Sequence, residues 1–576
     1  MTSGSAHALL AMTPAPASAL LAATPGPAGG LLATTPGAAS GLLATIDWVV
    51  IAVYAGGLVL LGLAMSRRGV GPADYFLASR TARWPVIGLA LFATNMSSTA
   101  LVGLAGGAYA VGISVYDYEW SATLILVFLC VFLLPYIIRS RTYTMPEFLE
   151  RRYDRRARLY FALLTLFLNV FVDSAGVLYS GALVCRLIFP GWPLWLIVTL
   201  LATAAGMYTT LGGLRAVIYT EAVQGIVLVA GALLIAVGAF HRAGGWNAVM
   251  HGVDPAALSL IRPIGDPGVP WPGLAFGIPL LGFYYWCTNQ SIVQRMLAAQ
   301  SIDQARWGAL LAGLLKLPVL FLMVLPGICA LLLFPGLPRA DLVYPSLILK
   351  ILPAGLVGLV VAGFVAATMV SIASMLNSAS TLMTMDVVRQ LHPRLSDAQV
   401  VRIGRLMTAL LLVIAIAWAP ELQRFTSLWQ YLQGALAYAV PPVVALFVLG
   451  LFWRGAEANG AAAAMVLGSA AGLALFLING VFGWTHIHFL YVAPILTVFD
   501  VSVLVVVSRF HRAARSAATR ADAGSVDAAR AAAAIGWHGA PPELSAAPVR
   551  RPLWQDYRMQ AAVLVALTAA IVIAFR

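Results

Sequence analysis

Residues 84–107 read WPVIGLALFATNMSSTALVGLAGG. The stretch is apolar and long enough to span a bilayer, yet its middle holds Thr94, Asn95, Ser97, Ser98 and Thr99, and glycines follow at 103, 106 and 107. A continuous helix gains nothing from that composition at the midplane. A broken helix frees carbonyls and amides that can bind an ion or a polar solute, provided that protein surrounds them. The other use of such residues is polar glue between packed helices. Five polar residues within six positions favour a site.

The rest of the 576-residue chain has the same character: 61% of it is hydrophobic and 10% charged, a composition that belongs to polytopic membrane proteins. The formal charge of +13 comes almost wholly from Arg, because Lys occurs only at 316 and 350. Those Arg residues fall in short loops between apolar segments, which argues against nucleic-acid binding. Cys130, Cys185, Cys287 and Cys329 all lie in apolar segments without CxxC spacing, so disulfides, thiol catalysis and zinc binding are not expected. No nucleophile–base pair or metal-ligand cluster suggests an enzyme.

Residues 1–45 carry Leu-Leu-Ala four times at eleven-residue intervals, with Thr-Pro after the first three. Proline and glycine this dense predict a disordered, low-complexity extension, and no basic region precedes its apolar patches as in a secretory signal. From 46 onward, fourteen segments are long and apolar enough to cross a membrane: 46–66, 84–106, 116–138, 159–187, 193–211, 217–240, 273–296, 307–335, 352–386, 403–419, 427–452, 459–481, 487–508 and 559–575. Of the 35 Lys and Arg, 27 follow odd-numbered spans and 7 follow even-numbered ones, so the odd loops are expected in the cytoplasm and both termini outside. The loop 139–158, with seven Arg, needs no role beyond anchoring that orientation. The polar-centred second span and the glycine- and polar-bearing seventh lie five places apart and so cross in opposite directions, as two inverted five-helix halves require. The domain reading that follows is a leading helix and loop at 46–83, inverted halves at 84–240 and 273–452, and a connector at 241–272. Two accessory helices at 453–508, a cytoplasmic linker at 509–557 and a last helix at 558–576 complete it.

Charges inside apolar segments are costly and are usually paired or functional. Lys316 is the most telling, since its segment offers no local counter-ion; Glu119 is its candidate partner, either as a structural ion pair or as a second arm toward the same solute. Asp117 reads as interfacial and Asp500 as packing outside the ten-helix core. Ser371, Ser374, Ser378 and Thr381 recur at steps of three, four and three, which aligns their hydroxyls on one helical face. They serve either as oxygen ligands for a hard cation such as Na+ or as close-packing glue. Tyr284, Tyr285 and Trp286 bring aromatic faces near Asn289 and Gln290, suited to stacking on a sugar ring or closing a gate, or else to a lipid-facing belt.

At YYWCTNQSIVQRMLAAQS (284–301) and SMLNSASTLMTMD (374–386) the chain resembles the sodium/glucose cotransporter family of solute:sodium symporters. Glu119-Trp120, Thr144-Met145-Pro146-Glu147-Phe148, Gly212-Gly213-Leu214 through Thr220-Glu221, and Leu432-Gln433 extend the likeness over residues 74–453. The resemblance implies an all-α polytopic membrane protein with a LeuT-like 5+5 inverted repeat of about 14 transmembrane helices, working by cation-driven alternating access. It implies a sodium site from the backbone carbonyls of Ala93, Met96 and Ala367 and the side chain of Ser371, with Glu221 on the inner ion path. Where the family has two adjacent serines, this chain has Val370-Ser371, so one hydroxyl ligand is missing and Thr94, Thr368 or water must replace it. Asp173 offers a protonatable alternative. The solute pocket would draw on Asn95, Glu119, Lys316, Trp286 and Gln433, with Tyr285 as inner gate and Tyr118 and Trp429 as outer lids. Three positions that often carry polar sugar contacts are here Ala100, Ala122 and Gly282. Each unmet hydroxyl of a buried sugar costs about 1–3 kcal/mol, which points to a less hydroxylated, larger or differently oriented solute than glucose.

The expected function is therefore Na+-coupled symport of a sugar, polyol or related small polar solute across the cell membrane, with the solute and the bilayer as partners. The alternatives are an H+-coupled or uncoupled carrier, and a membrane sensor that binds solute without transporting it.

Overall fold

The chain leaves helical geometry between Asn95 and Ser98, and the bundle is arranged about that break. The computed structural model describes residues 43–65, 80–140, 142, 144–189, 191–392, 394–425, 428–518, 552 and 555–576. Nearly all of the expected low-complexity extension and most of the expected linker lie outside the described residues. Among the described residues the architecture is all helical, with no strand beyond two isolated bridges.

Nine helices among the described residues are long and apolar enough to cross a membrane, or eleven if each of two bent pairs counts as one span. The bent pairs are Trp84–Asn95 with Ser98–Val111, at 56°, and Leu428–Ala439 with Pro441–Phe452, at 53°. The first bend was expected from composition. The second has its cause in Pro441 and Pro442, which lack the amides that would continue the ladder. The seventh span is also interrupted: Ile278–Phe283 passes through a wide turn at Tyr284–Thr288, Asn289 is extended, and Gln290–Leu297 starts afresh under the Asn289 side chain. Interruptions in the second and seventh spans are what two inverted halves place at corresponding positions.

One expectation needs correction. The sequence predicts a loop between segments 193–211 and 217–240, but helical backbone runs without a break through Leu194–Arg242. At 1.5 Å per residue a straight helix of 49 residues would far exceed a bilayer. Its apolar parts, Leu194–Gly206 and Ile218–Arg242, pack on different neighbours, Gly206 against Leu412 and Gly225 against Ala93.

Small residues let the broken span approach its neighbours. A Cβ on Gly88 would stand 2.7 Å from Leu311 Cδ2, and one on Gly308 would stand 2.7 Å from Ile87 Cγ2. These reciprocal glycines bring Trp84–Asn95 and Ile302–Lys316 into backbone-close contact, the small-residue packing that replaces hydrophobic drive within lipid. Asp117, expected at the interface, is fully buried; Trp120 Nε1, one turn away, donates to its Oδ1 at 2.7 Å, while Oδ2 has no hydrogen-bond partner among the described residues.

Candidate functional site

Trp84–Asn95 begins with a proline in its first turn, where a missing amide removes no helical bond. It ends as Met96 turns to φ −78°, ψ 50° and Ser97 extends to φ −70°, ψ 172°. The carbonyls of Ala93, Thr94 and Asn95 thereby lose their usual donors, while the first amides of Ser98–Val111 have no acceptor within the helix.

Lys316 stands against this break. It closes Ile302–Lys316, is completely buried, lies 2.5 Å from Glu119 Oε2 and hydrogen-bonds Asn95 Oδ1. Its ammonium also sits 5.2 Å from the centroid of the Trp286 ring. The lysine without a local counter-ion thus finds one on the third span, an amide at the break and an aromatic face on the seventh. Alone, either ion would be strongly disfavoured here; together they are compensated.

A cavity of about 120 Å³ adjoins the cluster and is lined by Asn95, Glu119, Asp173, Tyr285, Trp286 and Gln433 among others. Tyr118 and Trp429 also line it and meet edge to face, centroids 5.2 Å apart. The Tyr118 hydroxyl and Trp429 Nε1 are buried without a hydrogen-bond partner among the described residues, which leaves two donors beside the cavity unsatisfied by protein. Ala100, Ala122 and Gly282 line the cavity as well. The aromatics of the seventh span therefore face the interior, and the lipid-belt reading is removed. Lys316 is the exception among the expected solute contacts. It does not line the cavity, because Glu119 and Asn95 hold its ammonium behind them.

The expected ion ligands are all buried: Ala93 is 6% exposed, Met96 0%, Ala367 3% and Ser371 3%. Trp84–Asn95, which ends at Met96, and Leu356–Leu382 are in contact. Thr94 Oγ1 donates to Ala90 O at 2.7 Å, and Thr368 Oγ1 to Phe364 O at 2.9 Å. The Thr368 proton is turned into its own helix, so its oxygen lone pairs stay available to a cation, whereas the Thr94 hydroxyl also lies against the Glu221 carboxylate. Freed carbonyls together with hydroxyls make a donor set that fits a small hard ion, even though Val370 supplies nothing. The hydroxyl row divides: Ser374 accepts from Arg295, and Thr381 from Gln294 Nε2 at 3.3 Å, so these two bind the seventh span. Glu221 lies away from the cavity. Arg295 Nε donates to its Oε2 at 2.9 Å, Nη2 donates to Oε1, and Thr94 Oγ1 is 3.2 Å from Oε1. Asp173 stays at the cavity wall.

Arg295 is the functional residue that the sequence did not yield. It sits near the end of an apolar segment and was counted with the loop cations, yet it is 1% exposed and ties spans six, seven and nine together. The arginine-rich loop also does more than anchor orientation. Thr144 caps Met145–Arg152 and donates to Asp386 Oδ1 at 2.8 Å, Arg158 Nε reaches the same oxygen at 2.7 Å, and Met145 N donates to Gln290 Oε1 at 2.9 Å.

The Sodium:solute symporter family model matches residues 75–468, the region that contains both breaks, the cavity and the Arg295 network. The chain belongs to the sodium:solute symporter family. Within it, the chain is 36% identical to the sodium/mannose cotransporter of Bos taurus over 74% of its own length and 78% of the relative's. It is 34% identical to sodium/glucose cotransporter 2 of Rattus norvegicus (78% and 76% covered) and 33% identical to sodium/glucose cotransporter 1 of Sus scrofa (81% and 78% covered). Among solved structures it is similar to a substrate-bound, outward-open Na+-coupled sialic acid symporter, with TM-score 0.72 and 22% identity over 81% of this chain and 98% of that one. That likeness bears out the LeuT-like fold, and the family membership bears out the resemblance read from the motifs.

Proposed function

We propose that the chain is a secondary transporter that couples Na+ entry to uptake of a sugar or polyol. The observation that carries this reading is the buried Lys316–Glu119–Asn95 cluster, which joins a broken span to a lidded cavity. The mannose and glucose named for its relatives support a hexose-like solute. Ala100, Ala122 and Gly282 on the cavity wall favour one with fewer recognised hydroxyls than glucose.

In this mechanism Na+ binds the carbonyls of Ala93, Met96 and Ala367 and the hydroxyl of Ser371. Its charge holds the two parts of the second span against the ninth and so favours the outward-open form, because a ligand shifts an equilibrium by its differential affinity. The solute then bonds to Asn95, Glu119 and Gln433 and stacks on Tyr285 or Trp286. Lys316 keeps the Glu119 carboxylate and Asn95 amide oriented. Tyr118 and Trp429 close above, and the Glu221–Arg295–Ser374 contacts part for release inward. Glu221 is then a gate on the ion path, bound to Arg295 until the ion leaves. Two inverted halves at 84–240 and 273–452 rock about this site, and both termini face outside.

An H+-coupled variant is favoured by one feature, the Asp173 carboxyl at the cavity wall. The deciding experiment is uptake into proteoliposomes of a panel of monosaccharides and polyols under imposed Na+ or H+ gradients. Saturable uptake that needs inward Na+ is expected. Uptake driven by H+ and indifferent to Na+ would make Asp173 the coupling group, and saturable binding without uptake would make the chain a sensor.

A further inference from the structure

A second concavity lies outside the transport machinery. It is a groove of about 920 Å³ between Ile302–Lys316 and the C-terminal helix Tyr557–Ala574, lined by residues that include Trp84, Trp307, Leu311, Gln555, Val563 and Leu567. Its volume falls within the range of small-molecule sites.

The groove is amphipathic along its length. Trp84, Trp307 and Gln555 gather at one end, where Trp307 Nε1 donates to Gln555 O at 3.3 Å, and the walls beyond are aliphatic. The three framing helices run parallel. Trp84 N bonds Gln304 and Gly88 meets Leu311 farther along, while Arg306 stacks on Tyr557 and Gly313 meets Leu564. All three therefore begin at the polar end and turn the positive ends of their dipoles toward it. An arginine precedes a lining residue on each: Arg83 before Trp84, Arg306 before Trp307, and Arg558 before Met559. Arg306 is buried against Tyr557, its guanidinium carbon 4.0 Å from the ring centroid; Arg83 is exposed, and Arg558 is exposed while its Nε donates to the Tyr557 hydroxyl at 3.3 Å. Asp303 and Asp556 stand at the same end and offset part of this charge; Asp556 is engaged in capping its own helix by accepting from Arg558 N.

We propose that this groove binds an anionic membrane phospholipid, the acyl chains against Leu311, Val563 and Leu567 and the headgroup phosphate between Arg83 and Arg558. Charge complementarity selects the occupant: three arginines outnumber the two aspartates at the polar end, and a neutral lipid fills the aliphatic part equally well but brings no net charge to meet the exposed Arg83 and Arg558. An occupied groove braces Trp84, the first residue of the broken span, against the helix that ends in Lys316.

The test is native mass spectrometry of the purified full chain titrated with phosphatidylglycerol or phosphatidylcholine, on wild type and two variants. Wild type should retain phosphatidylglycerol roughly twenty-five-fold more strongly, and the Arg83→Gln/Arg558→Gln pair should remove most of that preference, at about fivefold per arginine. Val563→Trp, which fills the groove and leaves both arginines in place, should lose the bound lipid while melting like wild type. Equal retention of the two lipids by wild type would overturn the proposal, as would an unchanged preference in the double arginine variant or in Val563→Trp. Protection of the introduced thiol in Met559→Cys by a second copy of the chain would also overturn it.

Discussion

Arg295 donates from two guanidinium nitrogens to the two carboxylate oxygens of Glu221, Nε to Oε2 at 2.9 Å, with each side chain only 1% exposed. A bidentate pair this deep holds the sixth and seventh spans together, and it extends to the ninth through Ser374. Removing one partner leaves the other charge buried without compensation. Glu221→Gln or Arg295→Gln should each lower stability by about 3–5 kcal/mol, and the double variant should lie nearer to wild type than either single. Thermal unfolding in detergent checks this; additive losses in the double variant would refute the coupling.

Lys316→Gln should weaken solute binding without contacting the solute. Glu119 and Asn95 lose the donor that orients them, and loss of a charge-assisted bond at about 1.5–3 kcal/mol corresponds to a roughly tenfold to hundredfold rise in Kd. Equilibrium binding of labelled solute measures it, and an unchanged Kd would place the solute away from Glu119.

Gly103→Ala should disturb the outer lid. An added Cβ would stand 2.8 Å from Trp429 Cε3, so the indole has to shift away from Tyr118. Loss of an edge-to-face pair worth about 0.5–1.5 kcal/mol predicts a twofold to tenfold faster release of solute to the outside. Stopped-flow tryptophan fluorescence reports that rate, with Trp429→Phe as control for signal.

Val370→Ser restores the hydroxyl that the family places beside Ser371. The half-saturating Na+ concentration should fall by roughly fivefold, equivalent to one added ligand bond of about 1 kcal/mol. If the Na+ titration curve of uptake does not move, the ion does not bind at Ser371.

Much of this arrangement is legible in the chain because its chemistry is locally out of place. Thr94 to Thr99 mark a break because polar residues at a membrane midplane need a purpose, and Lys316 requires a remote partner because its neighbours offer none. Arg295 is hidden for the opposite reason: an arginine near the edge of an apolar run matches the ordinary anchor, and only packing reveals that Glu221 and Ser374 surround it. Pro441 and Pro442 carried a readable signal for the second bend that hydropathy averaging conceals. Asp117 seemed interfacial because position in the sequence says nothing of the indole one turn away. The polar end of the groove gathers Arg83 and Arg558, 475 residues apart in the sequence, which only the fold can juxtapose.

All four native thiols, at Cys130, Cys185, Cys287 and Cys329, are buried within the bundle. A charged maleimide added to the outer bath would find nothing to alkylate in the resting molecule, so an introduced sulfur beneath the lid, at Gln433 or Ala122, would report alone. Labelling rate at that position, with and without Na+, then becomes a clock for how often the outer door stands open.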